Sequence, residues 1–252
     1  MKLLTLARDL KRRKAREREH LFVSEGVRAV EELLRSSLAI RGALVAPQLA
    51  ETPRGVALLA SLRARGVSLE EVPGKDFGSA AETESPQGVI AIAGVPTHSF
   101  ATLDPTWRGV ALILDGVQDP GNVGTILRTA AALGAACVVA LPGTVDLWNA
   151  KVVRSGMGAQ FRQCAFSTTW HALDAFLTRD GVDLWAADVH GDPVASVKVP
   201  GRVALVVGNE GAGLSAEARV RAKRTVSLPI AGDVESLNVA VATGILLYLV
   251  TR

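Results

Sequence analysis

LVVGNEGAGLS, residues 205–215, and LPIAGDVESLNVAVATGILLY, residues 228–248, decide the fold. Two apolar runs of strand length, 203–207 and 225–230, each stop in a polar, glycine-rich loop. The first loop is Gly208-Asn209-Glu210-Gly211-Ala212-Gly213; the second spans Ala231 to Ser236. After the second loop comes an apolar, helix-like segment, Leu237 to Val250, that carries no charge. Glycine, amide and acid groups gathered at strand ends predict a pocket built largely from backbone.

Working back from this stretch, the spacing predicts further strands at 109–115, 136–142, 182–188, 203–208 and 224–230. Helices are predicted between them at 122–134, 148–159, 171–179 and 214–222, with the apolar segment last. Near-continuous apolar strands separated by helices imply a parallel sheet covered on both faces. Ligands of such sheets bind beyond the carboxyl ends of the strands, where both loops lie.

The earlier part of the chain predicts a smaller α/β layer. Residues 5–37 read as helix with a break at 20–23, Ser24 being the expected cap of the second part. Strands follow at 43–46, 67–72 and 88–94, with helices at 55–66 and 75–82. The expected division is a first domain over 1–95, a linker over 96–108 with Pro96 and Pro105, and a second domain over 109–252. With 48% hydrophobic and 21% charged residues the chain can bury a sizeable core.

Formal net charge is +3, but residues 1–20 alone hold eight Lys and Arg against three acids, so the other 232 residues sum to −2. Such an end faces an anion or is a solvated helix surface. Cys137 and Cys164 lack metal or redox spacing and read as buried thiols. The four histidines are scattered, so no metal is expected. The N-terminus is too charged for a signal peptide, and no apolar run reaches the ~20 residues of a membrane span, so the expected compartment is the cytoplasm. There is no Walker A loop, no GxGxxG after a first strand and no GxSxG elbow.

A third loop, Asp115 to Thr125, also follows a strand and opens a helix, with Asn122 as its expected cap. Arg128 is the only charge on that helix, and is either a surface arginine lying over apolar neighbours or a functional cation. Glu210 is a turn residue or a carboxylate aimed into the pocket, where chemistry alone would make it a base. Ser236 is the expected cap of the last helix, which leaves Asn238 inside the first turn, a position it favours poorly.

LDGVQDPGNVGTILRTAAALGA, VVGNEGAGLS and LPIAGDVESLNVAVATGILLY resemble, in order, the three motifs of the SpoU/TrmH family of RNA ribose 2′-O-methyltransferases. KVVRSGMGAQFR is similar to the family's connecting segment, although Gly156 stands where Ser or Ala is expected. Residues 1–95 resemble, more loosely, the family's ribosomal-protein-like substrate-binding domain.

The resemblance implies an α/β catalytic domain with a deep trefoil knot, an exception to the rule that chains do not thread loops. It implies S-adenosylmethionine held by Val207, Gly208, Asn209, Gly211, Leu228, Ile230, Leu237 and Asn238, and a homodimer with a shared RNA site. Arg128 is implied as the group acting on the 2′-hydroxyl, supported by Asn122, Glu210, Ser236 and Asn238. A guanidinium titrates above ~12, so positioning and charge stabilisation stand beside proton removal as its role. Lys11, Arg12, Arg13 and Lys14 become candidate RNA contacts. The expected substrate is ribosomal RNA. Transfer RNA, or a knotted RNA-binding protein without catalysis, is the alternative.

Overall fold

The computed structural model describes residues 2–232 and 235–251, so Asp233 and Val234 of the loop expected at Ala231–Ser236 lie outside the described residues. The chain forms two compact units, Met1–Pro96 with Trp148–Arg162, and Thr97–Leu147 with Gln163–Arg252.

The first unit carries a mixed sheet of β1 (Leu21–Glu25), β2 (Ile40–Val45), β3 (Leu69–Glu71) and β4 (Val89–Gly94), in the order β1-β4-β2-β3. β4 is antiparallel to both neighbours, and β2 and β3 are parallel. Around the sheet lie α1 (Leu3–Asp9), α2 (Arg13–Glu19), α3 (Val27–Leu34), α4 (Pro53–Ala64) and α5 (Gly74–Ala80). Sequence reading missed β1 and left a break there. Phe22 to Glu25 are all buried, so the strand shows no alternation of apolar and polar residues. His20 closes α2 in the left-handed conformation, φ 52°, and turns the chain into β1. Ser24 therefore lies within β1, and the cap of α3 is Gly26.

The second unit begins with β5 (Gly109–Leu114), α6 (Pro120–Ala132) and β6 (Cys137–Ala140). The chain then leaves to build α7 (Ala150–Ser155), which belongs by its contacts with the first unit. It returns as β7 (Ala165–Ser167), α8 (Trp170–Asp180), β8 (Asp183–Pro193), β9 (Arg202–Val207), α9 (Ala216–Arg221), β10 (Arg224–Ser227) and α10 (Val239–Val250). All six strands run parallel in the order β10-β8-β9-β5-β6-β7. β7 was not predicted; three residues at a sheet edge carry too little pattern. β10 ends at Ser227, earlier than expected, which frees Leu228 and Ile230 from the sheet.

One face of this sheet packs Ala111, Ile113, Val139 and Val206 against Leu173 and Phe176 of α8 and Ala218 of α9. α10 packs against α6 and β5. Chain order reverses between β5 and β9, the place where a parallel sheet opens a crevice at its carboxyl edge.

Candidate active site

The loops after β5 and β9 are fastened to each other at that crevice. The buried Asp115 carboxylate accepts from Ser215 N at 2.7 Å. The carbonyl of Gly116 accepts from Asn209 Nδ2 at 2.8 Å. The Asn209 Oδ1 accepts from the backbone N–H of Gly211 and Ala212, both at 2.9 Å, closing a tight turn. Asn209 and Gly213 exchange both backbone hydrogen bonds across it. At Gly208 this turn leaves no room: a Cβ would lie 2.4 Å from the Gly213 carbonyl carbon. Only glycine fits there.

The Glu210 carboxylate is taken up by the loop and helix that follow β5. Its carboxylate accepts from Gln118 N at 3.2 Å, Asp119 N at 3.1 Å and Asn122 Nδ2 at 3.0 Å. Partial burial alone would raise its pKa, but the Asn122 side chain and these backbone N–H groups together hold it below the ordinary glutamate range. A carboxylate only accepts, so Asn122 must turn its NH2 to Glu210 and its carbonyl to Asn238. Asn238 Nδ2 donates to that carbonyl at 3.0 Å. Its own Oδ1 then accepts from Ala240 N at 2.9 Å and Val241 N at 3.3 Å. One ionised carboxylate thus orients two amides and links three loops.

Two expected caps are corrected by this network. Asp119, not Asn122, caps α6, its Oδ1 accepting from Asn122 N at 2.7 Å. Asn238, not Ser236, caps α10. That is the reason for an amide at a position where it would be a poor helix former.

A cavity of about 410 Å³ opens beside the network. Val207, Gly208, Asn209, Gly211, Leu228, Ile230, Leu237 and Asn238 all line it, as do Glu210 and Ser236. Its wall also includes Asp188 on β8, which sequence reading passed over although it ends a predicted strand. The Asp188 side chain is 12% exposed and paired with Arg219 at 2.8 Å. Burial pushes its pKa up, and the His190 backbone N–H and Arg219 outweigh that and hold it low.

Asn122 and Arg128 are not in the cavity wall. Arg128 is exposed on α6, and among the described residues it has no hydrogen bond or ion pair. Of the basic quartet in the first unit, Lys11 donates to the Ala81 carbonyl at 2.7 Å. Arg12 pairs with Asp9 at 2.6 Å, Arg13 pairs with Glu17 at 2.7 Å, and Lys14 is exposed. Among the described residues no group of three His, Cys, Asp or Glu could hold a metal, and no helix is long and apolar enough to cross a membrane.

Residues 109–248 match the SpoU rRNA Methylase family, and residues 5–91 match the MRM3-like substrate binding domain. The chain belongs to the SpoU rRNA methylase family. The Bacillus subtilis (strain 168) protein named 23S rRNA (guanosine(2553)-2′-O)-methyltransferase RlmP is 34% identical over 242 residues, 96% of this chain and 92% of that protein. Among solved structures, the SpoU methyltransferase AviRb from Streptomyces viridochromogenes, in complex with the cofactor AdoMet, aligns with a TM-score of 0.87 at 28% identity. That alignment covers 100% of this chain and 97% of that one. An AdoMet-bound rRNA methyltransferase from Sinorhizobium meliloti aligns with a TM-score of 0.84 at 29% identity, over 98% of this chain and 93% of that one.

Proposed function

We propose that this protein methylates the 2′-oxygen of a ribose in ribosomal RNA, using S-adenosylmethionine, in the cytoplasm. One observation carries the reading: the eight positions implied for cofactor binding line a single cavity at the strand ends. The cavity suits such a cofactor, being within the usual ~300–1,000 Å³ range of ligand sites and combining apolar walls with glycine backbone. Val207, Leu228, Ile230, Leu237 and Leu246 offer apolar contact for a purine, and the loop backbone offers polar groups to the rest. Four segments close around it, at 187–189, 207–214, 226–230 and 235–246, which supports the knotted path that the family resemblance implies.

When bound, the cofactor supplies an activated methyl group on a sulfonium. The protein's task is to align the 2′-oxygen and to meet the charge that develops as its proton leaves. Arg128, a permanent cation, serves that charge. Glu210 is a positioning residue: it holds Asn122, and through it Asn238 in the cavity wall.

The working unit in this reading is a homodimer with shared sites. Val241, Ile245, Tyr248 and Leu249 form an exposed apolar stripe on α10, which packs on the helix that carries Arg128. A second copy burying that stripe would bring in the Arg128 that the cavity of its own chain lacks.

The test is calorimetric titration with S-adenosylmethionine, followed by labelled methyl transfer to ribosomal RNA. Arg128→Ala is expected to bind cofactor within about twofold of wild type and to lose about 10²–10³-fold in transfer rate, the scale on which one charge-stabilising group acts. Mixing it with a cofactor-site variant such as Gly208→Val should restore part of the activity through mixed dimers. Failure to bind the cofactor overturns the reading, and a mixture that stays inactive overturns the shared site.

A further inference from the structure

We propose that α7 is an RNA-backbone contact of the substrate-binding unit, with Lys151 and Arg154 as its phosphate ligands. The inference rests on the ribosomal RNA reading above and adds a surface to it. Residues 148–162 lie within the span matching the methylase family, yet they pack with the unit that matches a substrate-binding domain.

That placement changes the electrostatics of the unit. Residues 1–96 hold fifteen Lys and Arg against twelve Asp and Glu, a formal +3. Residues 148–162 add Lys151, Arg154 and Arg162 and no acid, raising the unit to +6 and leaving −3 for the other. The segment is firmly anchored. Trp148 and Phe161 pack against the buried ring of Phe22, with centroids 4.6 and 5.6 Å away. Val152 and Val153 are buried, and Ala150 packs against the cluster that holds Leu6 and Ala7 of α1 and Leu10 just after it. α7 and α1 therefore share one core.

Lys151 and Arg154 fall three residues apart on the exposed side of α7. Most cations of this unit are answered: Arg12, Arg13, Arg18, Arg35, Arg54 and Arg162 each hold a carboxylate. Arg16 is buried and donates to the carbonyls of Leu10 and Lys11. Among the described residues neither Lys151 nor Arg154 has a side-chain partner. Unanswered cations on a rigid helix, with no aromatic exposed beside them, suit the phosphates of folded RNA better than single-strand stacking.

The test compares Lys151→Gln/Arg154→Gln with Arg63→Gln/Arg65→Gln. The second pair removes the same charge just before β3, at the sheet edge opposite β1, on which α7 packs. Binding of each full-length protein to ribosomal RNA is measured across a salt series. Two lost phosphate contacts should lower the slope of log affinity against log salt by about 1.5 and weaken binding roughly tenfold or more at 0.1 M salt. The control pair should leave the slope near wild type, and S-adenosylmethionine affinity should be unchanged in both.

A wild-type slope for the α7 variant overturns the proposal, as does an equal fall in the control. Arg154 also sits in the last turn of its helix, where a cation favours the dipole. That role alone would lower the unfolding temperature without moving the salt slope, which also overturns the proposal. Wild-type protein that binds cofactor but shows no salt-dependent RNA binding removes the RNA reading itself.

Discussion

The two units solve opposite electrostatic problems. The first has a mixed sheet, a formal charge of +6 and many surface cations, some paired and some open. The second has an all-parallel sheet and a formal −3, and its polar groups bond to one another around a cavity. Long-range attraction for a polyanion needs unanswered charge on a surface. A site for a small cofactor needs loops held in one arrangement, which consumes donors and acceptors internally. On the proposed function, substrate capture and cofactor placement fall to different units, and mutations should divide along that line.

The strongest break should come from Gly208. A Cβ there meets the Gly213 and Leu214 backbone at 2.4–2.6 Å, and neither can yield as a flexible side chain could. Gly208→Ala is expected to weaken cofactor binding by about a hundredfold, the upper end of an overpacking cost of about 1–3 kcal/mol, while RNA binding stays near wild type. Calorimetry and filter binding on the same preparation would check both halves. Equal loss of RNA affinity would blur the division.

A smaller effect, of about tenfold in cofactor affinity, is expected from Glu210→Gln, since four donors would face one carbonyl instead of a carboxylate. This effect carries a pH signature. The folded-state pKa of Glu210 is lowered, so its contribution is present above the unfolded value, ~4.3, and is lost as pH falls through the lower folded value. Wild-type cofactor affinity should hold on acidification through ~4.3 and then fall, whereas the Gln variant should lack that step.

The smallest effect sharpens the other side. Neutralising Lys11, Arg12, Arg13 and Lys14 together should lower the salt slope of RNA binding by only about one, although four charges are removed. Two of the four already hold carboxylates and Lys11 is tied to a carbonyl. A drop near three would mean that these pairs open on RNA.

The site was more legible than the helices beside it. Glycine loops at the ends of apolar strands pointed to a pocket at that edge, and a cavity lies there, because a parallel sheet has one edge at which loops can gather. Asp188 was missed because it lies inside a strand that runs on to Pro193, with no polar, glycine-rich loop opening at that point. Spacing alone points to Asn122 and Ser236 as caps and to a break at β1, where the structure has Asp119, Asn238 and a strand. A capping residue is chosen by which oxygen reaches which N–H, and a strand buried on both faces leaves no periodic trace.

What the sequence determined by itself was local and repetitive: the parallel α/β series, the three polar loops and the basic N-terminus. Only the tertiary structure decided that the Glu210 carboxylate accepts from Asn122, that Arg128 stands outside the cavity of its own chain, and that residues 148–162 leave their sequence neighbours for the first unit. Each of those depends on contacts between residues far apart in the chain. Periodicity and spacing carry no record of such contacts, because the free energy that selects them appears only when the elements pack.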